Sequence, residues 1–410
     1  MIRADACLRV ILVNYNGGAL LERAVRSVLN SEWPGEIDVV VVDNASSDGS
    51  AQDIEAVPGV SVIYRDTNEG FGANNHGFAD LVGGELEVEL APAGVVALLN
   101  PDAAVRPDTF RLLAAKLDED RKIGAASPVI VFDRPFIELD VVGEDITIDS
   151  VSNGIDELSA QCHGTHGAER LPGDRAPLWL CPAGSRLRVP IDGLGRLVIG
   201  IATGRGTVAG HAVQGPCEIS IDVADFQTVQ VVQNAGIGIG DRGAGYSRGS
   251  GRVVGEPLGA PVDLWCGAAV AFHPDYLSAI GGFDPEYFLY YEDVDLGLRG
   301  QAAGWKTVHV PEAIVDHRHS DRSTQGSELV EVLQHRNRLL TIVRHGTPGE
   351  VASGFALAAL TPLSLAASAV RHPDQRSERL RLAKWRAKSL KEAVQGVGHA
   401  VGVRNQERDR

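Results

Sequence analysis

The chain is short of basic charge and of cysteine, and each shortage removes a class of protein. Lys and Arg number 38 against 54 Asp and Glu, a formal net charge of −16 over 410 residues. Such an acid excess repels phosphate backbones, so general nucleic-acid binding is excluded and any bound anion must be held by local groups. The five cysteines, Cys7, Cys162, Cys181, Cys217 and Cys266, are odd in number and hold no C-x-x-C pair. A disulfide scaffold is therefore not indicated, and a reduced, cytoplasmic setting is the simpler expectation. The opening MIRADACLRVILVNYN lacks separate basic, apolar and cleavage regions, so no secretion signal is expected. Disorder is excluded by an ordinary composition, 44% apolar and 22% charged.

Long apolar runs are also scarce. Residues 351–370 form a charge-free stretch of twenty, long enough to span a bilayer but rich in Ala and Ser and broken by Pro362. The following segment, 371–410, holds eleven Lys/Arg and five Asp/Glu, leaving 27 and 49 for the rest, or −22. An apolar helix followed by a basic one suits a peripheral anchor on an anionic membrane surface, here the inner face of the cell membrane. A pair of ordinary core and surface helices is the alternative.

The first 130 residues alternate short apolar runs with helical stretches, the pattern of βαβ units and a mostly parallel sheet. Strands are expected at 8–13, 37–42, 60–64 and 95–99, and helical stretches after 20, over 71–81 and over 110–117. In such sheets ligands sit beyond the carboxyl ends of the strands. Those ends carry Asn14, Asp43, Asn68 and Asn100-Pro101-Asp102. From about 136 to 230 the texture changes to β-branched segments broken by Gly, Pro and Asp, which reads as an inserted all-β module, a small sandwich or barrel. Gly238, Gly240 and Gly243 satisfy G-x-G-x-x-G, but AGYSRGSGR offers no following helix, so a flexible loop is expected there. The β-rich texture gives way to a second α/β part over 231–345 and a helical, basic tail over 346–410.

Four groups carry chemistry. Asp43 ends a strand against a Ser/Asn turn, where a carboxylate accepts from a nucleobase imide or a ribose hydroxyl; a helix cap is the plainer use. Asp102 follows an apolar strand, and an oxygen ligand at that place, beside a phosphate-bearing ligand, suits Mg2+ or Mn2+. Glu292, Asp293 and Asp295 crowd three carboxylates into four residues after an aromatic run. Neighbouring like charges raise one another's pKa, which suits a general base, while an acidic helix start explains them without function. Asp316-His317-Arg318-His319 offers imidazole to complete a divalent-metal shell with Asp102.

In order, VILVNYNGG, VVVVDNASSDGS, NEGFGANNHG, VALLNPDA, WCGAAVAF, GGFDPEYFLYYEDVDLGLR and GWKTVHVPEAIVDHRHS resemble the inverting family-2 glycosyltransferases of the GT-A fold, particularly the bacterial rhamnosyltransferase-like branch. The resemblance covers about 8–135 and 230–345. It implies an α/β GT-A architecture, a Rossmann-like mostly parallel sheet, interrupted by the β module and ending in the helical region. It implies that Asp43 reads the donor base, with Asn14, Asn68, Gly70, Phe71, Asn75 and Asn100 about the nucleotide. Asn100 stands where many relatives have the first acid of D-x-D. Asp102 and His317 would be metal ligands, Asp293, beside Glu292, the catalytic base, and Asp295 an acceptor contact. Trp265, after Val-Asp-Leu, either stacks on the acceptor sugar or fills the core.

The resemblance further implies a nucleoside diphosphate sugar donor, dTDP-rhamnose first and UDP-galactofuranose or another UDP-sugar behind it. The acceptor would be a lipid-linked or cell-envelope glycan. Two alternatives stay open: a nucleotidyltransferase, against which VNYNGGALLERA lacks a Lys directly after Gly17-Gly18, and an inactive sugar-binding protein working through the β module.

Overall fold

The computed structural model describes residues 6–171, 178–191, 193, 195–258, 262–318 and 327–408. They divide into two compact units, one of 1–129, 235–248 and 260–410, the other of 130–234 and 249–259. The β module thus starts a few residues before position 136, ends after 230, and takes in a second short piece of chain. The final helices belong with the first unit instead of forming a separate tail.

The first unit is built on a mixed sheet. Its strands are β1 (Cys7–Asn14), β2 (Ile37–Asp43), β3 (Val60–Tyr64), β4 (Ala93–Leu99), β5 (Ala103–Val105), β6 (Ile123–Phe132), β7 (Ala269–Phe272) and β8 (Lys306–His317). Their order is β3-β2-β1-β4-β7-β6-β8-β5. β1 to β4 pair in parallel, whereas β7 runs antiparallel to β4 and β6, and β8 antiparallel to β5. Val39, Val40, Val41 and Val42 are all fully buried, as a central parallel strand requires.

Helices α1 (Gly18–Leu29), α2 (Ser50–Glu55), α3 (Asn74–Gly77), α4 (Thr109–Leu117), α5 (Pro274–Ile280) and α6 (Glu292–Ala302) connect the strands. In α1 the buried residues are Leu21, Ala24, Val25 and Val28, the i, i+3, i+4, i+7 stripe that faces a core. The helix expected over 71–81 is instead two short 3-10 turns flanking α3. Gly70, Gly72 and Gly77 lower its helix propensity.

Three longer helices close the unit: α7 (Glu328–His345), α8 (Pro348–Arg371) and α9 (Arg376–Arg408). Pro362 does not break α8. Both it and Thr361 are half-exposed, so water can satisfy the carbonyl a proline leaves, and the Thr361 hydroxyl donates to Leu357 O. The G-x-G-x-x-G segment is a β-hairpin, Ile237–Ile239 against Gly245–Ser247. A Cβ on Gly238 would meet the Tyr246 ring at 2.2 Å, so that glycine serves close packing.

The second unit holds two five-stranded antiparallel sheets that share one apolar core containing Ile137, Ile148, Trp179, Leu187 and Ile199. It is a sandwich. Within it Arg188 is fully buried and paired with Glu138 at 2.9 Å and Glu256 at 2.7 Å.

Candidate active site

The parallel register sets Asn14 beside Asp43 at the ends of β1 and β2. The Asn14 amide donates to Asp43 Oδ1 at 2.8 Å and to the hydroxyls of Ser46 and Ser50, while Asn14 Oδ1 accepts from the Gly17 amide. Asp43 Oδ2 accepts from the Ser46 amide at 3.1 Å. Asn14 is fully buried, so it orients Asp43 and does not itself face a ligand. Asn68 Oδ1 accepts from Gly70 N, and the Asn44 amide donates to Gly70 O at 2.9 Å. Gly70 has φ +67°, and a Cβ there would lie 2.2 Å from Phe288 O. Only glycine fits this close approach, which lets the Phe71 amide donate to the same carbonyl at 2.7 Å.

At the other end of the strand edge, β8 pairs with β5 so that His317 faces Ala103. This brings His317 Nε2 to 3.0 Å from Asp102 Oδ1 and 3.4 Å from Asn100 Nδ2. His319 lies outside the described residues. Among the described residues no three His, Cys, Asp or Glu side chains gather as a metal cage. One carboxylate and one imidazole are a donor set that fits a divalent ion whose other positions go to water and phosphate oxygens.

Asp293 stands in the first turn of α6. Its Oδ2 accepts from the Gly267 amide at 3.0 Å and its Oδ1 from Val294 N at 2.8 Å. Burial raises its pKa, and these amides pull against the rise without cancelling it. Glu292 is pushed well above the carboxylate range by burial and by the Asp293 charge. One residue past Gly267, the Ala268 carbonyl accepts from the Asn100 amide at 2.9 Å. The loop 266–268 therefore joins the Asp293 carboxylate to the turn that carries Asp102.

Three expected contacts are corrected. Trp265 is fully buried, edge-on to Phe272 at 4.9 Å and to Phe283 at 6.2 Å, and cannot stack on a sugar. Asp295 is fully buried too, with His345 at 2.8 Å, Arg344 at 3.1 Å and Arg299 at 3.1 Å. Burial would raise its pKa, yet Arg299, His345 and Arg344 outweigh it and hold the group near 2. It is a structural ion, not an acceptor contact. Asn75 spends its amide on Phe283, donating to the carbonyl at 2.9 Å and accepting from N–H at 2.8 Å, so it joins two segments instead of touching a nucleotide.

Two residues with positional roles went unread in the sequence. Asn44 ties the end of β2 to Gly70. Asn337, fully buried in α7, donates to the carbonyls of Tyr287, Leu289 and Tyr290 at 2.8, 2.8 and 2.7 Å. Phe288, Tyr290 and Tyr291 all have positive φ, 60°, 68° and 69°, a conformation that costs bulky residues energy and must be held by its surroundings. This strained segment leads directly into Glu292 and Asp293. An asparagine among the apolar residues of α7 was the available signal.

The strand-end aspartate and the Asn-Pro-Asp turn both fall within a stretch that matches a known family. Residues 9–140 match the family model for glycosyl transferase family 2. An N-acetylglucosaminyl-diphospho-decaprenol L-rhamnosyltransferase of Mycobacterium tuberculosis is 45% identical over 69 residues, 17% of this chain and 22% of that protein. An uncharacterized glycosyltransferase of Nostoc sp. is 28% identical over 157 residues, 37% and 42% of the two chains. The chain thus spans less than half the length of these curated relatives. Among solved structures, GalNAc-T7 with UDP, GalNAc and Mn2+ has a TM-score of 0.48 at 15% identity, over 96% of this chain and 57% of that one. A mannosyltransferase from Pyrobaculum calidifontis with GDP-Man and Mn2+ has 0.42 at 14%, over 96% and 87%.

Proposed function

We propose that this chain is an inverting glycosyltransferase, moving a sugar from a nucleoside diphosphate to an acceptor hydroxyl by direct displacement. The acceptor oxygen forms a bond to the anomeric carbon as the bond from that carbon to the diphosphate oxygen breaks. Asp293 takes the hydroxyl proton, and the nucleoside diphosphate leaves with the bonding electrons. Attack from the face opposite the leaving group inverts the configuration. Asp43, fixed by Asn14 and Ser46, receives the nucleoside. Asp102 and His317 would hold Mg2+ or Mn2+, which supplies positive charge for the departing diphosphate.

The observation that carries this reading is the state of Asp293: a half-buried carboxylate of raised pKa, its oxygen fixed by the loop that also holds Asn100. A base of raised pKa accepts a proton more readily at neutral pH. The rhamnosyl donor, dTDP-rhamnose, is supported by the short alignment with the mycobacterial enzyme, and so is a lipid-linked or cell-envelope acceptor. Contact with a membrane is supported by α8. It is long and apolar enough to cross a bilayer, has a mean hydropathy of 1.5 over its most apolar window, and that window is only 6% buried. Leu360, Leu363 and Val370 are exposed.

The test is a donor screen on the purified chain with and without Mn2+ or Mg2+, reading nucleotide release and thermal shift. A donor at a hundred times its Kd stabilises by about 2.7 kcal/mol. The reading expects one diphospho-sugar to raise Tm in a metal-dependent way that Asp102→Asn weakens, and release to fall by about a hundredfold or more in Asp293→Asn. If no diphospho-sugar raises Tm or turns over, it is wrong.

A further inference from the structure

Helices α7, α8 and α9 enclose a cavity of about 160 Å³ that the transfer reaction does not use. Its walls are of two kinds. Leu339, Leu357 and Leu390 supply apolar lining, and His335, Arg338 and Arg386 bring basic groups among them. Arg386 pairs with Glu331 through Nη2 at 2.9 Å, yet its Nη1 is buried with no hydrogen-bond partner. Ser389, which also lines the cavity, is 1% exposed, and its hydroxyl likewise has no partner. Buried donors left unsatisfied cost roughly 1–3 kcal/mol each. Two of them in one basic cavity mark a place for acceptor oxygens of a ligand.

Leu357 lines the cavity and is 41% exposed, and Leu360 and Leu363, at 60% and 67%, continue from it along α8 at helical spacing. An anionic head with an apolar chain matches both the basic donors and the exposed leucines, whereas a free anion leaves the leucines unused.

We propose that this cavity binds the phosphate end of a lipid, with the oxygens on Arg386 and Ser389 and the apolar chain along the exposed leucines of α8. The site stands on the three helices alone and does not depend on the transfer reaction. It differs from general attraction to anionic membranes because it selects a phosphate monoester or diphosphate over equal charge presented otherwise.

The test is co-sedimentation of the full chain with phosphatidylcholine vesicles carrying phosphatidic acid, compared with phosphatidylserine at matched surface charge. Inorganic phosphate and pyrophosphate are titrated separately. Binding to phosphatidic acid is expected to be tighter by about tenfold, the equivalent of one charge-assisted hydrogen bond. That preference should disappear in Arg386→Gln and in Ser389→Ala, and persist in Lys391→Gln on the exposed face of α9. Ser389→Ala removes only the hydroxyl and decides the matter if Arg386→Gln loses its circular dichroism. Equal binding to both vesicles overturns the proposal, as does wild-type preference in a folded Ser389→Ala. Capture of free phosphate without vesicle binding assigns the cavity to a soluble anion and also overturns it.

Discussion

The Gly267 amide donates to Asp293 Oδ2 at 3.0 Å, and a Cβ on Gly267 would stand 3.5 Å from that oxygen and 3.0 Å from the Phe71 ring. The loop thus fixes the carboxylate, and a side chain at position 267 would have to push the Phe71 ring aside by a few tenths of an ångström. Because burial raises the Asp293 pKa, kcat/KM should rise with pH as the group ionises, with a midpoint above the usual value of 3.8. Asp293→Asn should lower the rate by about 10² to 10⁴ and flatten the rise. A full pH profile of both proteins checks this, and an unchanged rise in the variant refutes it.

Glu292 gives a stability prediction of the opposite kind to an ordinary salt bridge. Its folded pKa lies well above the ordinary value of 4.5. The folded state therefore binds the proton more tightly than the unfolded chain, and stability falls as pH rises from about that value. Glu292→Gln removes the cost of burying the charge. Urea midpoints should show the variant gaining on the wild type from pH 5 to pH 8, and a constant gap contradicts the assignment.

Asp295 titrates the other way. Its pKa is held near 2, against burial, by Arg299, the His345 hydrogen bond and Arg344, so its contribution is complete above the unfolded value of 3.8 and is lost as pH falls toward 2. Removing one member of a buried ionic cluster leaves the others uncompensated and costs about 3–5 kcal/mol. Asp295→Asn should lose that much at pH 7 by urea denaturation, with the difference shrinking below pH 4. A loss under about 1 kcal/mol would place the ion at an exposed site.

These two neighbours on α6 show what the sequence made legible and what it did not. The apolar runs before Asn14, Asp43 and Asn100 announced parallel strands because both faces of such strands are buried, and strand ends are where side chains reach a ligand. The Glu-Asp pair announced a helix start for the same local reason. The fate of Asp295, two residues further, depends on Arg344 and His345 in α7, about fifty residues away in the chain, and no local pattern carries that. Trp265 failed for a related reason: an aromatic beside a site and an aromatic beneath it look alike until Phe272 and Phe283 are seen to enclose it. The β module was visible from its texture. That residues 249–259 belong to it was not, since those eleven residues are Gly-rich and carry no alternation.

Asn14 tests the nucleotide end of the site. Its amide is the donor that fixes Asp43 Oδ1 at 2.8 Å. Asn14→Ala leaves that oxygen without its buried partner, a loss of roughly 1–3 kcal/mol. Because the effect falls on donor binding, KM for the donor should rise about tenfold with kcat little changed. An equal fall in kcat with KM constant would assign Asn14 to the transition state instead.

Asn337 lies on a helix remote in sequence from Asp293, yet it holds the segment that delivers the base. Its single amide group donates to three carbonyls, and the residues around them sit at positive φ without being glycine. Each such residue costs of order 1–3 kcal/mol, stable only where neighbours enforce it. Asn337→Ala removes the enforcement, so the segment should relax toward ordinary backbone and carry Asp293 off its position against Gly267. Asn337→Asp is the sharper test. It keeps the size but replaces the donor by an acceptor facing acceptors, and it should harm the protein more than Ala does. Both variants should lower kcat more than they raise KM for the donor, since Asp43 lies on another strand end. Kinetics at saturating donor, with urea midpoints alongside, separate this from simple unfolding. Normal kcat in a folded Asn337→Ala would mean that the strained turn holds itself.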